Sequence, residues 1–521
     1  MSISSSSTRS SRSGGPSAAA AAQTHTRTHR RRNILLITTD EQRTETLSCY
    51  GSSLMRSPST DRLAAEGVLF REAHAASPVC SPSRTSWVTG LHVPSHYTWM
   101  NGIHLPSEAA KALPSFVNAL RAAGYHAMVV GKTHFQKEIA EWDVRELHAS
   151  DSVPAQFTST GREAFRDGST PVADFYETAV VNRSLHLINS MVHRHDKQQS
   201  WFLWASFVSP HTPYWAPHGF NATAEYRARV PARQVALQPC NREESEKQAF
   251  PRHGMSKWLQ GREAMSDSAA QCGERDNRRR YFELAAYVDV QVGRLLDHLD
   301  AKRLTNSTLV TFTSDHGSCL GDHYLFSKYS FFDCSWRVPL LMRGPGVPRG
   351  ATREFASGVD LAPTLLGFAG VPRPAGMQGF DLLEHRTRCC GVPAAMLQDL
   401  ALVTRRWKLV WYQQDDGGLL FDRTVDPRER SNLFNSSAHA PVRARLLQAL
   451  LGWASRLVSL SLVQHPRSPM QVNSSHGSPC NGWGEGPSPM PHDQKVGCMY
   501  TAGLDGTEPE LHLQRDLSGW S

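Results

Sequence analysis

Short apolar runs alternate with stretches of helical spacing along most of the chain. Asn33-Ile34-Leu35-Leu36-Ile37-Thr38-Thr39 is apolar almost throughout, as a strand buried on both faces must be, and it runs into Asp40-Glu41-Gln42-Arg43. Thr60 to Glu66 reads as a helix closed by Gly67, and Pro114 to Ala123 keeps helical spacing until Gly124. His126 to Val130 is a second strand, leading into Gly131-Lys132-Thr133-His134. Trp201 to Val208 is a third, leading into Ser209-Pro210-His211-Thr212-Pro213. Tyr281 to Leu299 has the spacing of a long amphipathic helix, and Thr308 to Thr313 is a fourth strand, followed by Ser314-Asp315-His316-Gly317. Strands alternating with helices predict an α/β fold. Each strand delivers charged or imidazole residues just past its C-terminal end, the edge where open α/β sheets bind ligands. A lone polar residue there is ordinary loop chemistry. Asp40, Lys132 with His134, His211, and Asp315 with His316, each behind an apolar strand, are a pattern.

From about residue 390 the pattern changes to short strand-like runs: Leu402-Val403, Trp407 to Tyr412, and Leu420-Phe421-Asp422. Pro441 to Leu462 has the character of a helix. The expected organisation is therefore a basic, disordered segment at 1–32 and a large α/β domain at 33–388. A small α+β subdomain at 389–463 and an irregular Pro/Gly/Ser-rich tail at 464–521 complete it. A chain of 521 residues exceeds one ordinary core, which agrees with a large domain plus a smaller one.

Charge alters this picture little. The net +8 includes six arginines and no acid within residues 1–32, so subtraction leaves about +2 for the rest. Nothing in that balance argues for nucleic acid, and it leaves open a modestly basic pocket for an anionic ester. No apolar run approaches membrane-spanning length. The ten cysteines (49, 80, 240, 272, 319, 334, 389, 390, 480 and 498) show no C-x-x-C spacing, which argues against a zinc site. Five N-x-S/T sequons, at Asn182, Asn221, Asn306, Asn435 and Asn473, suit a glycoprotein on a secretory route. Residues 1–32, rich in Ser, Ala, Thr and Arg and without an apolar core, instead resemble an organelle transit peptide. Compartment is left open between the two.

Cys80-Ser81-Pro82-Ser83-Arg84 concentrates the candidate chemistry. Pro82 suits the first turn of a helix and Ser81 its cap, which puts Cys80 at a helix N-terminus, where free N–H groups favour an anion. Arg84, four residues on, lies over the same face. For an arbitrary cysteine, a buried thiol beside a surface arginine is the commoner arrangement, so the motif needs support from elsewhere in the chain.

The five residues match the C-x-P-S-R signature of the sulfatase family, and Thr85 to Gly90 continue as that family does. Asn33–Gln42 resembles its opening metal-binding strand, Gly131–His134 its G-K-x-H block, Ser209–Pro213 its P-H-x-P block and Ser314–Gly317 its S-D-H-G block, in the expected order. Leu320 to His323, Lys328, Arg337 to Leu340, Asp360 to Leu365 and Met377 to Gly379 extend the resemblance, which covers roughly residues 33–435. It implies a large mixed sheet sandwiched by helices, alkaline phosphatase-like, with a small C-terminal antiparallel sheet plus helix. It also implies that a formylglycine-generating enzyme oxidises Cys80 to formylglycine, whose hydrate supplies the attacking oxygen. By block position, Asp40, Asp315, His316 and residue 80 would hold a divalent cation, Ca2+ as the family's usual ion, with Mg2+ possible. Glu41 stands where many sulfatases carry a second Asp and is a further ligand candidate of greater length. Arg84, Lys132 and Lys328 would supply positive charge around the sulfate. His134 would help break the formylglycine hemiacetal and His211 would protonate the leaving oxygen. Asn101, 21 residues beyond Cys80, matches an Asn of the phosphonate monoester hydrolase branch and is a substrate-binding candidate.

The resemblance thus implies a hydrolase of sulfate monoesters acting on a sulfated small molecule or glycan. A phosphonate or phosphate ester hydrolase of the same superfamily is the alternative, suggested by Asn101, Leu320–Asp322 and Phe332-Asp333. A non-catalytic binder of sulfated glycans would have lost catalytic residues, and none is missing from these blocks. The pocket walls fall in residues 136–175 and 215–280, which match no pattern.

Overall fold

A computed structural model describes residues 32–149, 175–194, 199–212, 228–230, 267–384, 391–397, 399–413 and 417–464. The basic N-terminal segment, the C-terminal tail and most of the expected pocket walls lie outside the described residues, as do Pro213, Asn221 and Asn473.

The strands are β1 (Asn33–Thr39), β2 (Val68–His74), β3 (His126–Lys132), β4 (Val144–Ala149), β5 (Trp201–Ser206) and β6 (Thr308–Ser314). A short hairpin of β7 (Cys319–Leu320) and β8 (Phe326–Ser327) precedes β9 (Leu340–Arg343) and β10 (Gly350–Ser357). The main sheet has eight strands in the order β10-β2-β9-β6-β1-β5-β3-β4. Every strand in it but β9 runs in one direction, so it is a mixed sheet. β1 lies between β5 and β6, and the apolar run that announced it is buried along its whole length. Ile34 and Leu36 enter one core cluster, Leu35 and Ile37 the other, as period-two alternation requires of a strand covered on both faces.

Helices complete the sandwich. On one face, Cys80–Thr89, Phe116–Ala122 and Leu361–Ala369 contribute Trp87, Val88, Phe116, Leu120 and Leu365 to the first cluster. On the other, Tyr176–His193 and the C-terminal half of Asp267–Ala301 contribute Val180, Ile188, Val292 and Leu299 to the second. The expected helix at Tyr281–Leu299 is thus the later part of a longer one.

The C-terminal region forms a separate antiparallel sheet, β11 (Val392–Met396), β12 (Asp399–Val403), β13 (Trp407–Tyr412) and β14 (Gly417–Asp422), paired in chain order. Helix Ala440–Gln464 packs Leu446, Leu450 and Trp453 against Leu409 and Leu420 of that sheet. Lys408 of β13 is fully buried, and its ammonium meets the carboxylates of Asp333 and Glu429 and the Phe331 carbonyl. The small sheet is thereby tied to the loop that carries Lys328.

Candidate active site

The parallel strands bring the chemistry to one edge. Asp40 follows β1, Asp315 and His316 follow β6, and Lys132 is the last residue of β3. β3 is two residues longer than the apolar run implied, because Gly131 continues it through an irregularity in its pairing with β4. Gly131 has φ 105°, and a Cβ there would lie 1.9 Å from the Ser206 carbonyl oxygen, so only glycine brings Lys132 in at this angle. His134 follows with φ 47° and is half-buried. β5 ends at Ser206, two residues before the expected Val208, and His211 lies on the loop beyond. The Ser209 amide and hydroxyl both donate to Glu177 Oε1, at 2.9 and 2.7 Å, which anchors that loop to the Tyr176 helix.

The Cys80 helix begins at Cys80 itself, with Val79 in the capping position and extended. Ser81 is therefore not the cap. Val79 has no side-chain acceptor to offer, and the Ser81 N–H is taken instead by Asn101 Oδ1 at 2.9 Å. Asn101 thus braces the start of this helix, a contact that local sequence could not reveal. The whole helix is buried, Cys80 included.

Around Cys80 the charged side chains converge. Its Sγ lies 3.0 Å from Lys328 Nζ, 3.1 Å from His316 Nε2 and 3.9 Å from Asp40 Oδ1. Burial and Asp40 push the Cys80 thiol up, but Lys328, Lys132 and His316 pull it well below the ordinary thiol range. Burial alone would raise Asp40, yet Lys132, His211, Arg84 and Lys328 hold its carboxyl well below the usual carboxylate range. Lys132 Nζ is 2.6 Å from Asp40 Oδ2. Burial lifts Asp315 above its ordinary value against the pull of Arg84. Burial disfavours charge on His316, but Asp315 and Cys80 raise it to about 9.

Arg84 is committed to the protein. Nε donates to Asp315 Oδ2 at 2.7 Å, one terminal nitrogen to the Lys132 carbonyl and Ser206 Oγ, and the other to Asp40 Oδ2 and the Thr39 carbonyl. Its role in this geometry is to lock two buried carboxylates in place. Ser83 supports the same strand end by donating to the Asp315 carbonyl at 2.7 Å. Ser206 and Glu177 carried no sequence signal, because a small hydroxyl and a helix-borne acid become informative only when the fold juxtaposes them.

Asp40, Cys80, Asp315 and His316 each offer a ligand atom, all within 4.8 Å of one another and all buried. Two carboxylates and an imidazole suit a hard divalent cation. His316 Nδ1 lies 2.9 Å from the Gly317 carbonyl, which fixes the ring and turns Nε2 inward. The donor set fits the expected ion. Glu41 falls in a different group, with Asp40 and His211.

A mixed sheet between helical layers with a small antiparallel sheet behind it is the alkaline phosphatase-like fold, and it carries a buried cysteine ringed by carboxylates, imidazole and ammonium at the strand ends. The family model described as Sulfatase matches residues 32–371, and the chain belongs to the sulfatase family. It is a sulfatase-type hydrolase. A curated relative is the choline-sulfatase of Rhizobium meliloti (strain 1021), 27% identical over 420 residues, which are 73% of this chain and 78% of the relative. Among solved structures, the phosphonate monoester hydrolase of Agrobacterium radiobacter superposes with a TM-score of 0.64 at 23% identity, covering 83% of this chain and 96% of that one. A protein solved in complex with its substrate D-glucosamine-2-N,6-O-disulfate gives 0.59 at 21%, covering 85% of this chain and all of that one. Among the described residues, no helix is long and apolar enough to cross a membrane.

Proposed function

We propose that the chain hydrolyses sulfate monoesters, using residue 80 in its formylglycine form as the source of the attacking oxygen. The observation that carries this reading is the position of Cys80: buried at a helix start, within 3.0–3.1 Å of Lys328 Nζ and His316 Nε2 and facing Asp40. Sγ marks where an oxygen of the oxidised side chain would stand. Asp40, Asp315, His316 and residue 80 would hold Ca2+ or Mg2+, and that ion, when bound, neutralises charge on the sulfate oxygens.

The remaining work falls to side chains. Arg84 and Lys132 keep Asp40 ionised and placed. Lys328, between Cys80 Sγ and His211 Nε2 at 3.0 and 3.1 Å, presents a cation where the ester oxygens arrive. His211 Nδ1 lies 2.6 Å from the Thr212 carbonyl, which leaves Nε2 directed into the site to hand a proton to the departing oxygen. His134, at the same sheet edge, serves the later release of sulfate. The substrate class is a sulfated small molecule or glycan, a reading supported by the sulfated sugar bound by a structural relative. The test is a paired assay of matured protein on an aryl sulfate and an aryl phosphonate, followed by a panel of sulfated sugars and alcohols. Faster turnover of the phosphonate would overturn the sulfate-ester reading in favour of its alternative.

A further inference from the structure

Glu41 is fully buried and its backbone lies at φ 65°, a left-handed conformation that L-residues seldom adopt. Two neighbours hold it there. Its N–H donates to Asp315 Oδ1 at 3.2 Å, and its carbonyl accepts from the Tyr281 hydroxyl at 2.6 Å. The same hydroxyl accepts the Arg43 N–H at 2.9 Å, so Tyr281 clamps both residues flanking Gln42. Observed strain that is over-determined by its surroundings points to a function for the side chain it aims.

That side chain is directed at Lys328 and His211. Glu41 Oε1 lies 3.2 Å from Lys328 Nζ and 3.4 Å from His211 Nε2, and those two groups are 3.1 Å from each other. Lys328 Nζ makes hydrogen-bond contacts with Cys80 Sγ and His211 Nε2, and faces Glu41 Oε1 as an ion pair. Neither Glu41 carboxylate oxygen accepts a hydrogen bond among the described residues, so ion pairing is what compensates its buried charge. Glu41 is absent from the cluster of Asp40, Cys80, Asp315 and His316 and groups instead with Asp40 and His211, so bound metal per chain is the measurement that separates positioning from ligation.

We infer that Glu41 is a positioning residue, which fixes the Lys328 ammonium and the His211 imidazole on the leaving-group side through one shared carboxylate, and is not a metal ligand. Lys328 and His211 come from separate segments of the chain, and one Glu41 oxygen lies within 3.4 Å of both, closer to His211 than the 4.0 Å of Asp40 Oδ1. This rests on the sulfate-ester reading above. That reading stands or falls with the turnover of aryl sulfate by the wild-type protein, and the inference with the variants alone.

The experiment compares matured wild-type protein with Glu41→Gln and Glu41→Asp, reading bound metal per chain and kcat and KM across aryl and alkyl sulfates. Glu41→Gln should keep wild-type metal content. It should lose up to ~10² in kcat on alkyl sulfates, the lower end of general acid catalysis, and far less on nitrophenyl sulfate. Glu41→Asp, which restores the charge, should recover part of that loss. Tyr281→Phe keeps the carboxylate but releases the backbone that aims it, and should tilt the series the same way if Glu41→Gln does not fold. Loss of metal in Glu41→Gln would make Glu41 a ligand and overturn the inference. A uniform loss across the leaving-group series would overturn it too, because a merely structural residue gives that result.

Discussion

Arg84 Nε donates to Asp315 Oδ2 at 2.7 Å with neither side chain exposed to solvent, and a terminal nitrogen of the same guanidinium reaches Asp40 Oδ2 at 3.2 Å. One cation therefore ties the helix of Cys80 to the ends of β1 and β6. Removing it strands two buried carboxylates, and breaking a buried pair of this kind costs about 3–5 kcal/mol. Arg84→Ala should lower the urea midpoint accordingly, and Arg84→Lys should recover little, since lysine lacks the fork that serves both carboxylates. An unchanged midpoint in Arg84→Ala would contradict this account.

The metal prediction has a pH sign. In the unoxidised, metal-free protein, Asp315 and Cys80 raise His316 from 6.5 to about 9, against burial. A folded-state value above the unfolded one adds stability that is fully present below 6.5 and fades as pH rises through about 9. The same proton competes with the ion for Nε2, so calcium affinity should rise over that interval and binding should release protons. Titration calorimetry in buffers of different ionisation enthalpy measures both. Affinity independent of pH would remove His316 from the ligand set, and Asp315→Ala should abolish binding while the protein stays folded.

Oxidation of residue 80 is expected in protein made alongside a formylglycine-generating enzyme, and peptide mass spectrometry reads it directly. Cys80→Ser should be inactive in a host without serine-type maturation. An active preparation that contains only the thiol would sink the nucleophile assignment.

Cys319 and Cys334 form a disulfide, 15 residues apart, that closes the stretch carrying Lys328. Loop closure of that length is worth ~3 kcal/mol in the chain-entropy picture. Cys319→Ser and Cys334→Ser should each lose about that much, and a reducing agent should lower wild-type stability without affecting either variant. The assay is denaturation with and without reductant.

This pairing illustrates what the sequence withheld. Ten cysteines allow many partners, and composition could not choose among them. β1, β3, β5 and β6 were legible because central parallel strands are apolar on both faces. β2 was not, since Arg71 and Glu72 interrupt it where it is half-buried, nor was β10, whose first residues are exposed. β9 has only four residues, too few for a period to show. At the site, residue types and order were readable from the blocks. The direction of Glu41 was not, because it depends on a left-handed backbone that Asp315 and Tyr281 impose from afar. The capping of Cys80's helix by Asn101 was hidden for the same reason.

The two imidazoles should separate kinetically. His211 Nε2 is 3.1 Å from Lys328 Nζ and 3.4 Å from Glu41 Oε1, on the loop that Glu177 anchors, while His134 follows β3 on a separate turn. If His211 protonates the departing oxygen, its loss matters most when that oxygen is a poor leaving group. His211→Ala should therefore cost ~10²–10⁴ in rate on alkyl sulfates, the usual worth of general acid catalysis. The cost on nitrophenyl sulfate should be much smaller, because nitrophenolate departs without a proton. His134→Ala should behave differently, since release of sulfate is common to every substrate. It should give a burst of alcohol followed by a stall, whatever the leaving group. A leaving-group series on both variants, with single-turnover traces, decides the matter. Equal sensitivity to leaving-group pKa would show the roles to be misassigned, and parallel loss without a burst would assign both rings to substrate binding.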